Sequence, residues 1–523
     1  MEKKEQARFY ITTPIYYVND TPHIGHAYTT VAADVQARFH RMLGERVFFL
    51  TGTDEHGQKV KQAAEQRGLS PQEHADQMVE NFQRLWRELL VSNDAFIRTT
   101  DPEHQAVVQE LLQRLWQRGL IQRRTYKGWY CTPDERFWTE KDLREGACPE
   151  CGRAVQYIEE DNYFFLMSRF QGPLLEHLRR HPEYIKPSSR LNEVLGFLSR
   201  PLGDLCISRP LKRLSWGIPL PFDPQYVTYV WFDALVNYYS ALRYLAKDLS
   251  FWPADCHVIG KDILTTHAVY WSTMLMALEL PLPRLIFAHG WWTVEGRKMS
   301  KSLGNVVEPQ AVCARYGVDA FRYFLLREIP FGLDGDFSES ALVGRINNDL
   351  ANDLGNLLSR TLGMLRKYCQ AVVPERVNSK DREGLEKKVQ AFFYTSAGDL
   401  PLLENMKLHL KEFKFNEALE HIWAVINGVN KFIDSAQPWR ERDEARRGNV
   451  LYTALEALRL LALYLAPFMP RKAQEIWDQL GYHKDISRSL FSQEGRWGLL
   501  APGTKAEKGP PLFPRQELPA KAP

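Results

Sequence analysis

The sequence predicts an α/β protein: a doubly wound parallel, Rossmann-type domain split by an inserted domain with a Cys-containing knuckle, followed by an all-α bundle. Three observations predict it. Short apolar, β-favouring runs alternate with amphipathic helical patterns from residue 8 to about 115, and again from Tyr226 to about 330. Between Gly119 and Pro224 this alternation gives way to short strands, Cys-containing turns and Gly/Pro punctuation. Residues 345–480 carry long 3.6-period apolar stripes without strand signals, as over residues 451–465.

In chain order, residues 1–118 form the first half of the α/β fold. Phe9-Tyr10-Ile11 and Val47-Phe48-Phe49-Leu50 read as its strands, and residues 27–43 as a helix. Residues 119–225 are the insertion, with the knuckle at 131–151, and residues 226–330 complete the sheet. A linker region (331–370), the helical domain (371–485) and a tail (486–523) follow. The last forty residues, rich in Pro, Gly, Lys and Glu, are expected to lie along the surface or to be partly disordered.

Composition excludes several classes. At 523 residues, 44% hydrophobic and 25% charged, the chain has ample material for a core and the make-up of an ordinary globular protein. A net charge of +3 does not announce a nucleic-acid binder, so a polyanionic partner must meet locally basic surface. No apolar run approaches the ~18 residues of a membrane span. The polar start, Met1-Glu2-Lys3-Lys4-Glu5-Gln6, resembles neither a secretory signal nor a transit peptide. Seven cysteines in so long a chain indicate a reducing compartment, and the cytoplasm is expected.

Two short words carry the chemistry. His23-Ile24-Gly25-His26 follows a strand and opens a helix, where free amides and the helix dipole favour phosphate. Lys298-Met299-Ser300-Lys301-Ser302 sets two ammonium groups three residues apart between Gly296 and Gly304, a loop able to close over a triphosphate. On one chain and in this order they read as the halves of an adenylate-forming site.

At these residues the chain resembles the class I aminoacyl-tRNA synthetases and, within them, the methionyl family. The likeness includes Thr12-Thr13-Pro14-Ile15-Tyr16-Tyr17-Val18-Asn19 and Thr51-Gly52-Thr53-Asp54-Glu55-His56-Gly57. It extends over residues 229–238, over Gly260-Lys261-Asp262-Ile263 with His267, and on to the Pro511-Leu512-Phe513-Pro514-Arg515 tail. The resemblance implies a methionine–tRNA ligase that forms methionyl-adenylate and charges the terminal adenosine of tRNA(Met) for translation initiation and elongation. In that reaction an already ionised carboxylate attacks the α-phosphate of ATP. The site must therefore supply alignment and donors for the charge on the phosphates, with Mg²⁺ accompanying the nucleotide.

By resemblance, His23, His26, Lys298 and Lys301 are the catalytic donors, joined in ATP binding by Gly25 and Ser300. A methylene gives only about 1–3 kcal/mol of discrimination, so methionine needs shape plus recognition of its polarizable thioether. The family pocket maps onto Trp231, Ala234, Leu235, Tyr238, His267 and Trp271, with Asp262 at its edge. Tyr238 O–H and the Ile15 backbone would contact sulfur, Asp54 would receive the amino group, and Tyr17 would lie over the substrate. Asn356 and Arg360, four apart on one helix face, and Trp439 match the anticodon-reading set, and residues 331–370 match the stem-contact region. The inserted segment is too short for a separate editing pocket, and a monomer is expected because the C-terminal dimer-forming module of many relatives is missing.

Cys131-Thr132-Pro133-Asp134 and Cys148-Pro149-Glu150-Cys151 have zinc-knuckle spacing, with Asp134 where the usual knuckle has Cys. A structural Zn²⁺ on Cys131, Asp134, Cys148 and Cys151 is the expectation; a knuckle kept by packing alone is the alternative.

Overall fold

The computed structural model describes residues 6–19, 21–131, 136–138, 140–149, 151–294, 296–298, 306–377, 380–394 and 400–518. Its centre is a six-stranded parallel sheet, ordered Ala95–Arg98, Arg46–Asp54, Arg8–Tyr17, Cys256–Gly260, Ile286–His289, Ile185–Lys186. Its strands are buried runs such as Phe48-Phe49-Leu50, as a sheet covered on both faces requires. The chain runs outward from Arg8–Tyr17 in one direction and resumes on its other side at Cys256–Gly260. The crevice over their carboxyl ends is thus the switch point where ligands of such sheets bind.

The insertion differs from the expectation of strands and turns alone. Ile121–Cys131 and Gln156–Phe165 do form an antiparallel ladder, extended by Arg136–Trp138 and Leu205–Cys206. Between them, however, lie helices Gln171–Arg180 and Ser188–Leu198, whose Leu174, Leu178 and Val194 join the core cluster of the main sheet. Ile185–Lys186 becomes that sheet's edge strand. A two-residue strand leaves no periodicity to read.

Beyond the sheet, helices such as Phe415–Ala436 and Glu444–Leu465 form the bundle, the second buried along nearly its whole length. The tail is largely exposed over residues 501–518 but anchored, with Leu500, Leu512 and Phe513 buried. Glu456, wholly buried, accepts the N–H groups of Gly498, Leu499 and Leu500, and Arg459 donates to the carbonyls of Glu494 and Arg496. Unmade, those backbone bonds would cost the full desolvation of each group, so the tail is tied inward. Among the described residues no helix is long and apolar enough to cross a membrane.

A buried ion pair joins helix Ile24–Met42 to helix Val318–Arg327, and its arginine also reaches the bundle. Arg322 Nη2 lies 2.7 Å from Asp34 Oδ2, with neither side chain accessible. The guanidinium also donates to the carbonyls of Leu89, Pro467 and Phe468. Burial alone would raise the Asp34 pKa, but the charges of Arg38 and Arg322 and the Ser92 bonds hold it at about 2.

Candidate active site

Helix Ile24–Met42 begins with a capping box made of two imidazoles. His23 is the N-cap and its Nδ1 accepts the Gly25 N–H at 3.1 Å; His26 Nδ1 accepts the His23 N–H at 3.1 Å. The rings stack with centroids 3.9 Å apart. A Cβ on Gly25 would sit 2.9 Å from His23 Cε1, so a side chain there would push the capping ring away. With each Nδ1 occupied as an acceptor, each ring carries its proton on Nε2 and can present that N–H to a ligand. Burial, and then the neighbouring His23, holds the His26 pKa well below its usual value. His26 is therefore held neutral and donates through its Nε2–H.

The described residues on either side of the other signature approach the same region. Arg297–Lys298 pairs antiparallel with Trp292–Val294, and Val307 accepts the N–H of Ile24 at 3.3 Å. The downstream flank of the lysine segment is thus anchored at the start of the signature helix, and the upstream flank pairs with a strand whose Trp292 lines the same cavity as His23. Lys298 is described by its backbone only, and Ser300 and Lys301 lie outside the described residues.

At the switch point lies a cavity of about 470 Å³, within the range of small-molecule sites. His23, Gly25 and His26 line it, as do Trp291 and Trp292. Gly290 lets the chain pass under the Leu333 backbone, where a Cβ would meet Leu333 O at 2.2 Å. The expected methionine residues Ile15, Tyr17, Asp54, Trp231, Ala234, Leu235, Tyr238, Asp262 and His267 all line the same cavity. Trp271 does not: it is fully buried against Tyr238, ring centroids 6.0 Å apart, donating to His257 Nε2 at 3.3 Å.

The strand Arg8–Tyr17 shifts register between Thr12 and Ile15, at Pro14, which has no N–H for the ladder. The shift falls just where the strand enters the cavity wall. Tyr238 Oη is 2.8 Å from His267 Nε2, while His267 Nδ1 is 2.9 Å from the Ile263 carbonyl. A carbonyl only accepts, so Nδ1 bears the proton and Nε2 accepts from Tyr238. Burial lowers the His267 pKa to about 4, which keeps the ring neutral. In this state the Tyr238 proton points at His267.

Sequence reading missed His289 and Asn237, which also line the cavity. Burial lowers the His289 pKa to about 4; its Nδ1 faces the Gly290 carbonyl at 2.7 Å and Thr29 Oγ1 lies 2.6 Å from Nε2. A lone His ending a strand carried no signal. Asn237 stands inside the quoted Trp231–Tyr238 segment, and its helical spacing from Ala234 could have flagged it.

Two further groups assemble elsewhere. The sulfurs of Cys131, Cys148 and Cys151 lie within 4.8 Å of one another, Cys131 and Cys151 at 3.5 Å, and none is in a disulfide. Three converging thiols fit a tetrahedral zinc site; Asp134 lies outside the described residues. In the bundle, the Arg360 guanidinium is 5.9 Å from the Trp439 ring and bonds Asp434 at 2.6 Å. Trp439 is 42% exposed, unusual for an indole, and Asn356 is exposed one turn before Arg360.

Comparison with known proteins agrees with this geometry. The family model described as tRNA synthetases class I (M) matches residues 9–159 and 152–362, and one described as the anticodon-binding domain of tRNA ligase matches residues 402–507. Fold and site thus define a class I aminoacyl-tRNA synthetase. The methionine–tRNA ligase of Caldanaerobacter subterraneus subsp. tengcongensis is 47% identical over 98% of this chain and 79% of its own length. That of Synechocystis is 44% identical over 98% of both chains. Mycobacterium tuberculosis methionyl-tRNA synthetase in complex with methionyl-adenylate superposes with a TM-score of 0.89 at 42% identity, covering 98% of this chain and 100% of that one. The chain belongs to the methionyl-tRNA synthetase family. Its reaction is the ATP-dependent ligation of methionine to tRNA through an adenylate.

Proposed function

We propose that methionine lies in the cavity with its ammonium at Asp54 and its thioether against Trp231, Ala234, Leu235, Tyr238 and His267, Tyr17 covering it. ATP takes the end near Gly25, with the Nε2–H donors of His23 and His26 on one side of the phosphates and Lys298, Ser300 and Lys301 on the other. Mg²⁺ arrives with the nucleotide. The carboxylate then attacks the α-phosphate in line with the departing pyrophosphate. The protein contributes position and donors aimed at the charge that develops, rather than a base. Cys131, Cys148 and Cys151, with Asp134, hold a zinc ion that braces the knuckle and takes no part in the chemistry.

The single observation behind this reading is that imidazoles from residues 23 and 26 share one cavity with an aromatic wall from residues 231–238. In the second step, tRNA(Met) reaches the adenylate across the inserted segment (119–225), its stem meets residues 331–370, and its anticodon lies on Asn356 and Arg360 of that segment together with Trp439. An unstacked base on the exposed indole, with amide and guanidinium donors beside it, suits single-stranded RNA. A monomer working in the cytoplasm completes the proposal. ATP–pyrophosphate exchange with methionine, leucine and cysteine tests the first step: methionine alone should support rapid exchange. Exchange driven equally by cysteine would overturn the pocket assignment, and a stable dimer in sedimentation would overturn the monomer.

A further inference from the structure

The two walls of the methionine cavity come from separate segments. Asp54 ends strand Arg46–Asp54, while Trp231, Ala234, Leu235 and Tyr238 belong to helix Val230–Tyr244. Asp233 sits in the first turn of that helix, fully buried, and is not among the residues lining the cavity. One carboxylate oxygen lies 2.6 Å from His56 Nδ1, two residues beyond Asp54; the other lies 2.8 Å from His104 Nε2. His104, on helix Pro102–Gln117, places its Nδ1 2.7 Å from Ser240 Oγ, two turns further along the pocket helix. Residues 55–57 are clamped from the insertion as well. Trp216 Nε1 donates to the Glu55 carbonyl at 2.5 Å, its own carbonyl accepts the Gly57 N–H at 3.3 Å, and its ring lies 5.3 Å from His56.

A carboxylate accepts only, so both imidazoles must turn an N–H toward Asp233, which fixes their ring orientation. Burial would raise the Asp233 pKa, but His56 and His104 hold it below the usual carboxylate range. The group is thus an ionised hub joining three segments, two of which carry opposite ends of the substrate site.

We propose that Asp233, together with His56 and His104, is a positioning residue that sets the spacing between the ammonium-binding end of the methionine site at Asp54 and the thioether-binding wall on helix Val230–Tyr244. This rests on the methionine placement given above. Reactions of this kind tolerate little misplacement, so slackening the hub is felt by methionine before it is felt by ATP, whose end of the cavity is built from the capping box at His23.

The test uses the full-length enzyme in ATP–pyrophosphate exchange, with KM for methionine and for ATP measured separately and thermal unfolding alongside. Asp233→Ala should raise the methionine KM by about 10- to 100-fold and lower kcat less, with the ATP KM within about twofold of wild type. Asp233→Asn should recover part of the loss, because one carbonyl acceptor remains and the His104–Ser240 pair can reverse its donor and acceptor. Selectivity for methionine over leucine should fall in both. Equal rises in the two KM values, or a lowered melting temperature with both KM values unchanged, would reduce the cluster to a structural support and overturn the proposal. Should Asp233→Ala fail to fold, Asp233→Asn and His104→Gln carry the same comparison. The wild-type control separates the two readings: exchange driven by another amino acid would refute the methionine placement itself, before any variant is compared.

Discussion

Removing either half of the Asp34–Arg322 pair should cost the fold several kcal/mol, in a way that depends on pH. Both side chains are fully buried, and Arg322 is held by one carboxylate and three carbonyls. Arg322→Met leaves those carbonyls without their donor and Asp34 with only Arg38 and Ser92, a loss of about 3–5 kcal/mol. For Asp34→Asn a linkage argument applies. A carboxyl at the ordinary 3.8 when unfolded and about 2 when folded contributes roughly 2 kcal/mol at neutral pH. Because the folded pKa is the lower one, this contribution is fully present above 3.8 and is lost as the pH falls through about 2. Urea unfolding followed by circular dichroism at pH 7 measures both losses, and the double variant should fall short of their sum by about 0.5–3 kcal/mol. Single variants each costing under about 1 kcal/mol, or a strictly additive double variant, would refute the assignment. The pair sits three turns along the helix capped by His23, so Arg322→Met should also slow aminoacylation.

Other consequences are equally concrete. Lys301→Ala should slow adenylate formation by about 10²- to 10³-fold while leaving the melting temperature unchanged, as rapid-quench kinetics and calorimetry would report; a loss confined to methionine binding would contradict the role. His267 has a folded pKa of about 4 against an ordinary 6.5, so its contribution of about 3 kcal/mol is complete above 6.5 and lost as the pH falls toward 4. The difference in urea stability between pH 7.5 and pH 4.5 should shrink accordingly in His267→Gln. Metal analysis of purified protein should find about one zinc per chain, reduced in Cys148→Ser; full retention would remove that thiolate from the site. Trp439→Ala should raise the tRNA KM by about 10-fold or more, in line with the loss of a base-stacking platform.

Much of the site was legible in sequence because it is written in local words. The imidazoles of His23 and His26 fall at the cap and third helical position of one helix, so three-residue spacing alone brings them together. The segment from Trp231 to Tyr238 is one helical stretch, so most of its wall also follows from spacing. Tertiary structure decided what depends on distant partners. Trp271 matched the family pattern, yet it is fully buried, packs against the Tyr238 ring and is not among the cavity-lining residues. Ile185–Lys186 is too short to show a period and is a strand only because Ile286–His289 offers it an edge. The tail reads as polar chain, yet buried Glu456 and Arg459 collect its backbone groups. Asp34 and Arg322, like Asp233 and His104, lie far apart in sequence, and an acidic or basic residue on an apolar helix face does not name its counterpart. Local periodicity fixes the elements and the chemistry carried within each; the pairing of buried charges across elements is fixed only when packing brings them together, since water otherwise satisfies each one separately.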